Sequence, residues 1–190
     1  TTGAGNTAVG NNSLTANTTA SNNVAIGLCA LKTNVDGHSN IAIGKDTMES
    51  NSGGDQNTAV GMSALNANTA GNNTALGYSA MFYNTSGTEN VAIGQNSGSA
   101  NASGIKNTFL GRAAGFNATG SSNTLVGRNS GVSINSGESN ITLGTDSGDN
   151  ITSGDGNVII GSINADSATG DKQLIIADGV DGSVAWIKGD

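Results

Sequence analysis

A short element, Asn-x-x-x-Gly, recurs ten times along this chain at a nearly constant spacing. Successive glycines lie 17, 17, 17, 16, 17, 17, 16, 17 and 17 residues apart. A fixed period of this length is the signature of a repeat architecture, in which each repeat is one unit that packs on its neighbours. The elements are Asn6 to Gly10, Asn23 to Gly27, Asn40 to Gly44, Asn57 to Gly61, Asn73 to Gly77, Asn90 to Gly94, Asn107 to Gly111, Asn123 to Gly127, Asn140 to Gly144 and Asn157 to Gly161.

The residues inside each element predict one short strand per repeat. Val24-Ala25-Ile26 alternates large and small side chains with a period of two, which is the period of a strand and not of a helix. The residue before the glycine is always Val, Ile or Leu. Stacking the repeats therefore places these residues in one continuous apolar column. The rung positions that carry this prediction are Asn23, Ile26, Gly27, Asn40, Ile43, Gly44, Asn90, Ile93, Gly94, Asn157, Ile160 and Gly161.

A second, weaker strand is predicted after each glycine, where pairs such as Ser13-Leu14 and Ala30-Leu31 recur. From the sixth copy on, the large residue of this pair is replaced by glycine, first at Gly98, while the strand centre grows from Ala to Phe109. We therefore expect the cross-section to change near residue 94. Seventeen residues span about 56 Å of extended chain, which is enough for two short strands and two turns.

These patterns predict an all-β fold, a parallel β-solenoid (β-roll or β-helix) of about ten 17-residue rungs. Residues 1–163 form the repeat domain. Residues 164–190 are expected to form a β-hairpin cap or the start of a next module, because two apolar stretches there flank Asp178-Gly179 and Asp181-Gly182. The sequence begins Thr1-Thr2-Gly3, and we expect it to be a piece of a longer protein.

Composition excludes several classes of partner. The net charge is −7 and only seven residues are Lys or Arg, so the chain lacks the basic surface that binding to nucleic acid requires. No apolar run approaches the roughly 20 residues of a membrane span, so membrane insertion is not expected. The single Cys29 cannot form an intrachain disulfide. We therefore expect neither nucleic acid nor membrane as a partner.

A single copy of this solenoid is expected to have a thin core. Only 35% of residues are apolar, and a rung of 17 residues encloses few side chains. One apolar face would be in contact with water. Three chains around a common axis would bury that face, and closed symmetry is the usual form of such an assembly. We therefore expect a homotrimer.

The side chains that could carry out catalysis or bind a metal are interpreted as structural. His38, the sole histidine, lies in a turn and has no evident nucleophile beside it, and Cys29 is interpreted as a small buried residue of the second strand. Asp146, Asp149 and Asp155 match no calcium-binding motif and are interpreted as solvated surface. For Trp186, packing or a trimer contact is favoured over ligand stacking. No catalytic residue, metal site or cofactor is predicted, and the chain is expected not to be an enzyme.

The recurring Asn-x-Ala-Ile/Val-Gly, seen at Asn23–Gly27, Asn40–Gly44 and Asn90–Gly94, resembles the head repeat of trimeric autotransporter (YadA-like) adhesins. It is more similar still to related repeats in phage tail fibres. The resemblance covers residues 6 to about 163 and implies a left-handed parallel β-roll that assembles as a trimer and binds host surfaces. The adhesin repeat is shorter than 17 residues, which puts identical turns in doubt. The runs 148–161 and 171–177 look like phage structural proteins.

The resemblance implies a structural segment of a virion tail fibre that supports host attachment. Its partners would be two further copies of the chain, other fibre or tail proteins and a host cell-surface receptor, and its location would be the extracellular virion. The alternative is a bacterial trimeric adhesin head on the cell surface. An ice-binding solenoid is a minor alternative, since the turn column at Thr18, Val35 and Ser52 is too mixed for a regular threonine array. A glycosidase of the phage-depolymerase kind would need paired carboxylates, which the repeat does not predict.

Overall fold

The computed structural model describes residues 2–180 and 183–189, and this part of the chain contains twelve strands and no helix. The first ten strands each consist of the three residues between the Asn and the Gly of one repeat. The strands are β1 Thr7–Val9, β2 Val24–Ile26, β3 Ile41–Ile43, β4 Thr58–Val60, β5 Thr74–Leu76, β6 Val91–Ile93, β7 Thr108–Leu110, β8 Thr124–Val126, β9 Ile141–Leu143, β10 Val158–Ile160, β11 Leu174–Ala177 and β12 Ala185–Gly189.

The strands stack in chain order into one sheet, and the pairing is parallel from β1 to β11. Equivalent repeat positions pair without a slip, so Ala25 lies between Ala8 and Ala42. Each repeat is therefore one coil of a β-solenoid, as the period predicts. The two 16-residue repeats keep the same register, as the pairing of Ala59 with Ala75 shows for the first of them.

The prediction of a second strand after each glycine is wrong, because this segment is a series of tight turns. Ala30 and Leu31 are both fully buried, whereas neighbouring residues of a strand would face opposite sides. Cys29 and Leu31 have φ of 57° and 49°, and left-handed residues at alternate positions produce consecutive turns. The turns still bind the next coil, since the Leu31 N–H donates to the Thr47 carbonyl at 3.1 Å.

Glycine after each strand is required by the stacking of the coils. Gly44 has φ of 135°, a conformation that side chains other than hydrogen rarely allow. A Cβ at Gly44 would also lie 2.7 Å from the carbonyl carbon of Gly61 in the next coil. The repeat can therefore place no larger residue at this corner.

The large core side chains change position part-way along the solenoid. In the early coils the strand centre is Ala and the large buried residue lies in the turn, as Leu31 and Met81 do. Later the strand centre is large and the turn residue is glycine. A Cβ on Gly98 would lie 2.4 Å from Phe109 Cδ2, so side chains at these two positions compete for one space. The register from β6 to β7 is unbroken, so the change is one of core packing.

A ladder of asparagines joins the coils beside the strands. Asn23 donates from Nδ2 to the Gly37 carbonyl at 2.9 Å, which closes its own coil, and its Oδ1 accepts the Asn40 N–H at 2.9 Å. Burial without such partners would be unfavourable for an amide. The ladder ends at Gln173, whose N–H donates to Asn157 Oδ1 at 2.9 Å.

One further coil follows the last Asn-x-x-x-Gly element, inside the segment 164–190 for which the sequence predicts a cap. Gln173 and Ala177 occupy the Asn and Gly positions there, and Ile175 pairs with Ile159. β11 then pairs antiparallel with β12, so a hairpin closes this end of the sheet. The expected turn residues Asp181-Gly182 lie outside the described residues.

Candidate functional site

The outer face of the sheet is a continuous surface formed by the first and third residues of strands β1 to β10. We call it the exposed sheet face. The middle residue of β2 to β10 points into the core and is buried, whereas none of the first or third residues is buried. The first residues are Thr7, Val24, Ile41, Thr58, Thr74, Val91, Thr108, Thr124, Ile141 and Val158; the third are Val9, Ile26, Ile43, Val60, Leu76, Ile93, Leu110, Val126, Leu143 and Ile160.

This face carries no charge, and its third-residue column is aliphatic in every coil. Ile26, Ile43 and Ile93 retain 37%, 37% and 36% of their accessible surface, so a large part of each aliphatic side chain is in contact with water. With coils about 4.8 Å apart, ten coils give a strip about 48 Å long and, at roughly 10 Å width, about 480 Å² in area. A patch of this size is about the largest that a typical monomer exposes, and such patches are often functional.

The predicted rung residues thus fall into three different environments. Asn40, Asn90 and Asn157 are buried in the ladder. The glycines, of which Gly94 is typical, occupy the strand-end corner. The aliphatic residues before those glycines, of which Ile43 is typical, form the exposed sheet face. Only the last of these sets is placed to contact another molecule.

His38 has a structural hydrogen bond. Its Nδ1 accepts the N–H of Ser21 at 3.0 Å, and its own N–H donates to Asp55 Oδ1 at 2.6 Å. The same arrangement recurs at the far end of the solenoid, where Asp155 Oδ1 accepts the Glu138 N–H at 2.7 Å. His38 is therefore one member of a column of side chains that bond the backbone of the preceding coil.

Cys29 lies in a turn, not in a strand, and it is half-buried, not buried. The expectation of a buried strand residue is therefore wrong, because left-handed turn geometry directs the thiol outward. Its Sγ lies within 4.8 Å of carboxylate oxygens of Asp46 and Glu49, which is ligand spacing for a metal. Lys32 already binds Glu49 at 3.2 Å, and this hydrogen bond raises the pKa of the Lys32 amine.

The three late acids are not brought together among the described residues. Asp146 accepts from Arg128 Nη2 at 2.6 Å and from Asn129 Nδ2 at 2.8 Å. Asp155 bonds backbone, and the two form no ligand group with Asp149 in this part of the chain. Trp186 lies on β12 and is 68% exposed, so most of its surface has no contact with the described part of the chain.

The threonines of the turn column are engaged in the stacking of the coils. Thr85 Oγ1 donates to the Ala102 carbonyl at 3.0 Å, and Thr69 Oγ1 donates to the Thr85 carbonyl at 2.8 Å. Thr18, Thr119 and Thr152 make the equivalent bond to the next coil. These hydroxyls stabilise the fold and form no free array.

Comparisons with protein-family models, with curated proteins and with solved structures find no match to this chain. Within the described ranges, no helical segment has the length and apolar character of a membrane span.

Proposed function

We propose that this chain is a structural, non-enzymatic segment of a virion tail fibre that supports attachment to a host. In this proposal three copies associate through the exposed sheet face. The observation that carries it is the aliphatic column of ten coils, which a single chain leaves in contact with water. A stiff rod with a long adhesive face suits a fibre that must keep its length without bending.

The chemistry of the face supports burial against protein. About 480 Å² of uncharged surface supplies the apolar centre of an interface, for which about 800 Å² per partner is typical. Interface centres are depleted in charge and rims are polar. The aliphatic third-residue column fits the centre, and the first-residue column, with five threonines in ten positions, fits its wetter margin.

A bacterial trimeric adhesin head is the alternative, and it uses the same trimer. The two differ in location, so an antibody raised against the solenoid separates them in the virus or bacterium that carries the gene. Immunogold labelling of fibres on purified virions is the expected result. Labelling of the bacterial envelope in the absence of virions would replace the fibre by the adhesin. Label on neither structure would contradict both.

Ice binding is a minor alternative, for which the relevant observation is the regularity of the same face. Threonine is present at five first-residue positions, namely Thr7, Thr58, Thr74, Thr108 and Thr124, and at none of the third-residue positions of β1 to β10. A regular threonine array is therefore incomplete in one column and missing from the other. Thermal hysteresis of a monomeric protein, together with its loss on substituting Thr74, would favour this candidate over the fibre.

A further inference from the structure

Four of the six aromatic residues of the chain gather in one patch on the turn segment that follows the strands. The chain has three Phe, two Tyr and one Trp. Tyr78, Phe82, Tyr83 and Phe116 line one shallow depression of about 330 Å³ that is open to solvent, together with Ser79, Asn96 and Ser99. We call this depression the aromatic slot. Its lining contains no charged residue.

The slot results from the stacking of the coils. Phe82, Ser99 and Phe116 occupy the same position of three successive coils, five residues after the strand-end glycine of each. The small, buried Ser99 leaves an opening between the two phenylalanines. The two phenylalanine levels lie about 9.6 Å apart, so a ring at the level of Ser99 would be about 4.8 Å from each. That distance is near van der Waals contact for a puckered ring.

The polar groups of the slot are available to a ligand. The Tyr78 and Tyr83 hydroxyls, the Asn96 carboxamide and the hydroxyl of the buried Ser99 make no side-chain hydrogen bond to any residue in 2–180 or 183–189. At the same coil position as Asn96, Asn129 uses its amide on the Asp146 carboxylate of the next coil. The coil after Asn96 instead has an alanine at this position, so the Asn96 amide faces no protein acceptor there.

The two tyrosine rings of the slot are exposed to solvent. Tyr83 is 59% exposed and Tyr78 is 48% exposed, which is high for aromatic side chains. Phe82 supports Tyr83 in an edge-to-face arrangement, with ring centroids 4.6 Å apart and an interplanar angle of 75°. The pair therefore presents two rings, nearly at right angles, at the edge of the slot.

We propose that the aromatic slot binds a neutral saccharide, with one pyranose ring between Phe82 and Phe116. Sugar C–H bonds are polarised by the adjacent oxygens and are attracted to the negative face of an aromatic ring. The hydroxyl and carboxamide groups around the slot match sugar hydroxyls, which both donate and accept. An uncharged lining offers nothing to neutralise a phosphate or a carboxylate. The volume lies at the lower end of the range for small-ligand sites.

The test is binding of neutral hexose oligosaccharides, namely cellohexaose, maltohexaose, laminarihexaose and mannohexaose, measured by isothermal titration and by NMR shifts of the tyrosine rings. We expect one of them to bind, with at least a tenfold loss in Phe116→Ala and in Asn96→Ala. Val132→Ala is the matched control, since Val132 is half-buried at the same position one coil beyond Phe116. It should bind as the unmodified protein does.

Absence of binding to all four sugars at millimolar concentration would overturn the proposal, as would an equal loss in Val132→Ala. A change of solution mass in Phe116→Ala, without sugar binding by the unmodified protein, would also overturn it and would assign the patch to contact between copies. Because the slot lies on turn residues and not on the exposed sheet face, sugar binding is expected whether or not the protein is trimeric. Failure here is therefore separate from failure of the fibre proposal.

Discussion

A second column of buried asparagines, separate from the ladder beside the strands, shows how one residue can end such a column. Asn51 Nδ2 donates to Asn34 Oδ1 at 3.0 Å, and Asn84 Nδ2 donates to Asn68 Oδ1 at 2.7 Å. The column ends at Asn101, because the next coil has Ala118 at this position. Asn101 Oδ1 is buried without a hydrogen-bond partner, as is Asn17 Oδ1 at the other end of the column, where Asn34 Nδ2 donates to the Gly37 carbonyl. An unsatisfied buried acceptor is destabilising.

Ala118→Asn should leave the free energy of unfolding nearly unchanged. Its Nδ2 supplies the missing donor to Asn101 Oδ1, but the next coil has Ile134 at this position, so the new Oδ1 becomes the unsatisfied acceptor. Asn68 is the precedent: it lies at the equivalent position of the other 16-residue repeat and donates to the Ala70 carbonyl at 2.7 Å, which corresponds to Gly120 here. Chemical denaturation followed by circular dichroism measures the change. Ala118→Leu is the control, with similar size and no amide, and it should destabilise the protein by about 1–3 kcal/mol. An equal loss in the Asn variant would contradict the hydrogen-bond explanation.

At the scale of the element, the sequence predicts strands β1 to β10. The three residues between Asn and Gly alternate with a period of two, which is the period of a strand. The sequence does not predict the turn segment, because Ala30 and Leu31 have the composition of a strand and only their left-handed neighbourhood makes both of them face the core. It does not predict the aromatic slot either, since the lining residues are far apart in the chain. The available signal is the separation of Phe82 and Phe116, which is 34 residues or two repeats.

The exchange of core positions gives a test of how the elements pack. Phe109→Ala should destabilise the protein by about 3–5 kcal/mol through the cavity it leaves. Gly98→Leu should also destabilise it, because the new side chain would enter the space of Phe109. The double variant restores the arrangement of the early coils, where Leu31 has nearly the same φ of 49° as the 57° of Gly98. It should recover part of the lost stability in thermal unfolding.

Additive losses in that double variant would contradict the exchange, because independent sites add and sites that share a space do not. A matched comparison is Phe109→Ala combined with Gly179→Ala. A Cβ at Gly179 would have no neighbouring atom within 4 Å, so this pair should show no recovery.

At the scale of the whole molecule, the solenoid has many contacts along its axis and few across it. Its interior holds about one large side chain per coil, such as Leu65 or Leu125, and its length comes from repetition. Stability in such a rod is the sum of the coil interfaces. The exposed sheet face runs along this length. The area available for an interface between copies therefore increases in proportion to the number of coils.

The exposed sheet face also predicts which substitutions should prevent association between copies of the chain. Ile43→Lys with Ile93→Lys places two charges in the aliphatic column, and a buried unpaired charge strongly disfavours association. Val35→Lys is the matched control, because Val35 is a comparable apolar residue, 42% exposed, in a turn outside the face. The double variant should be monomeric with an unchanged circular dichroism spectrum, and the control should keep the mass of the unmodified protein.

The measurement that tests the central claim most directly is the solution mass of the unmodified chain by light scattering coupled to gel filtration. Self-association through the exposed sheet face predicts three times the chain mass of 18.6 kDa. A stable species of 18.6 kDa at the concentrations used would contradict the trimer and leave the face to another partner.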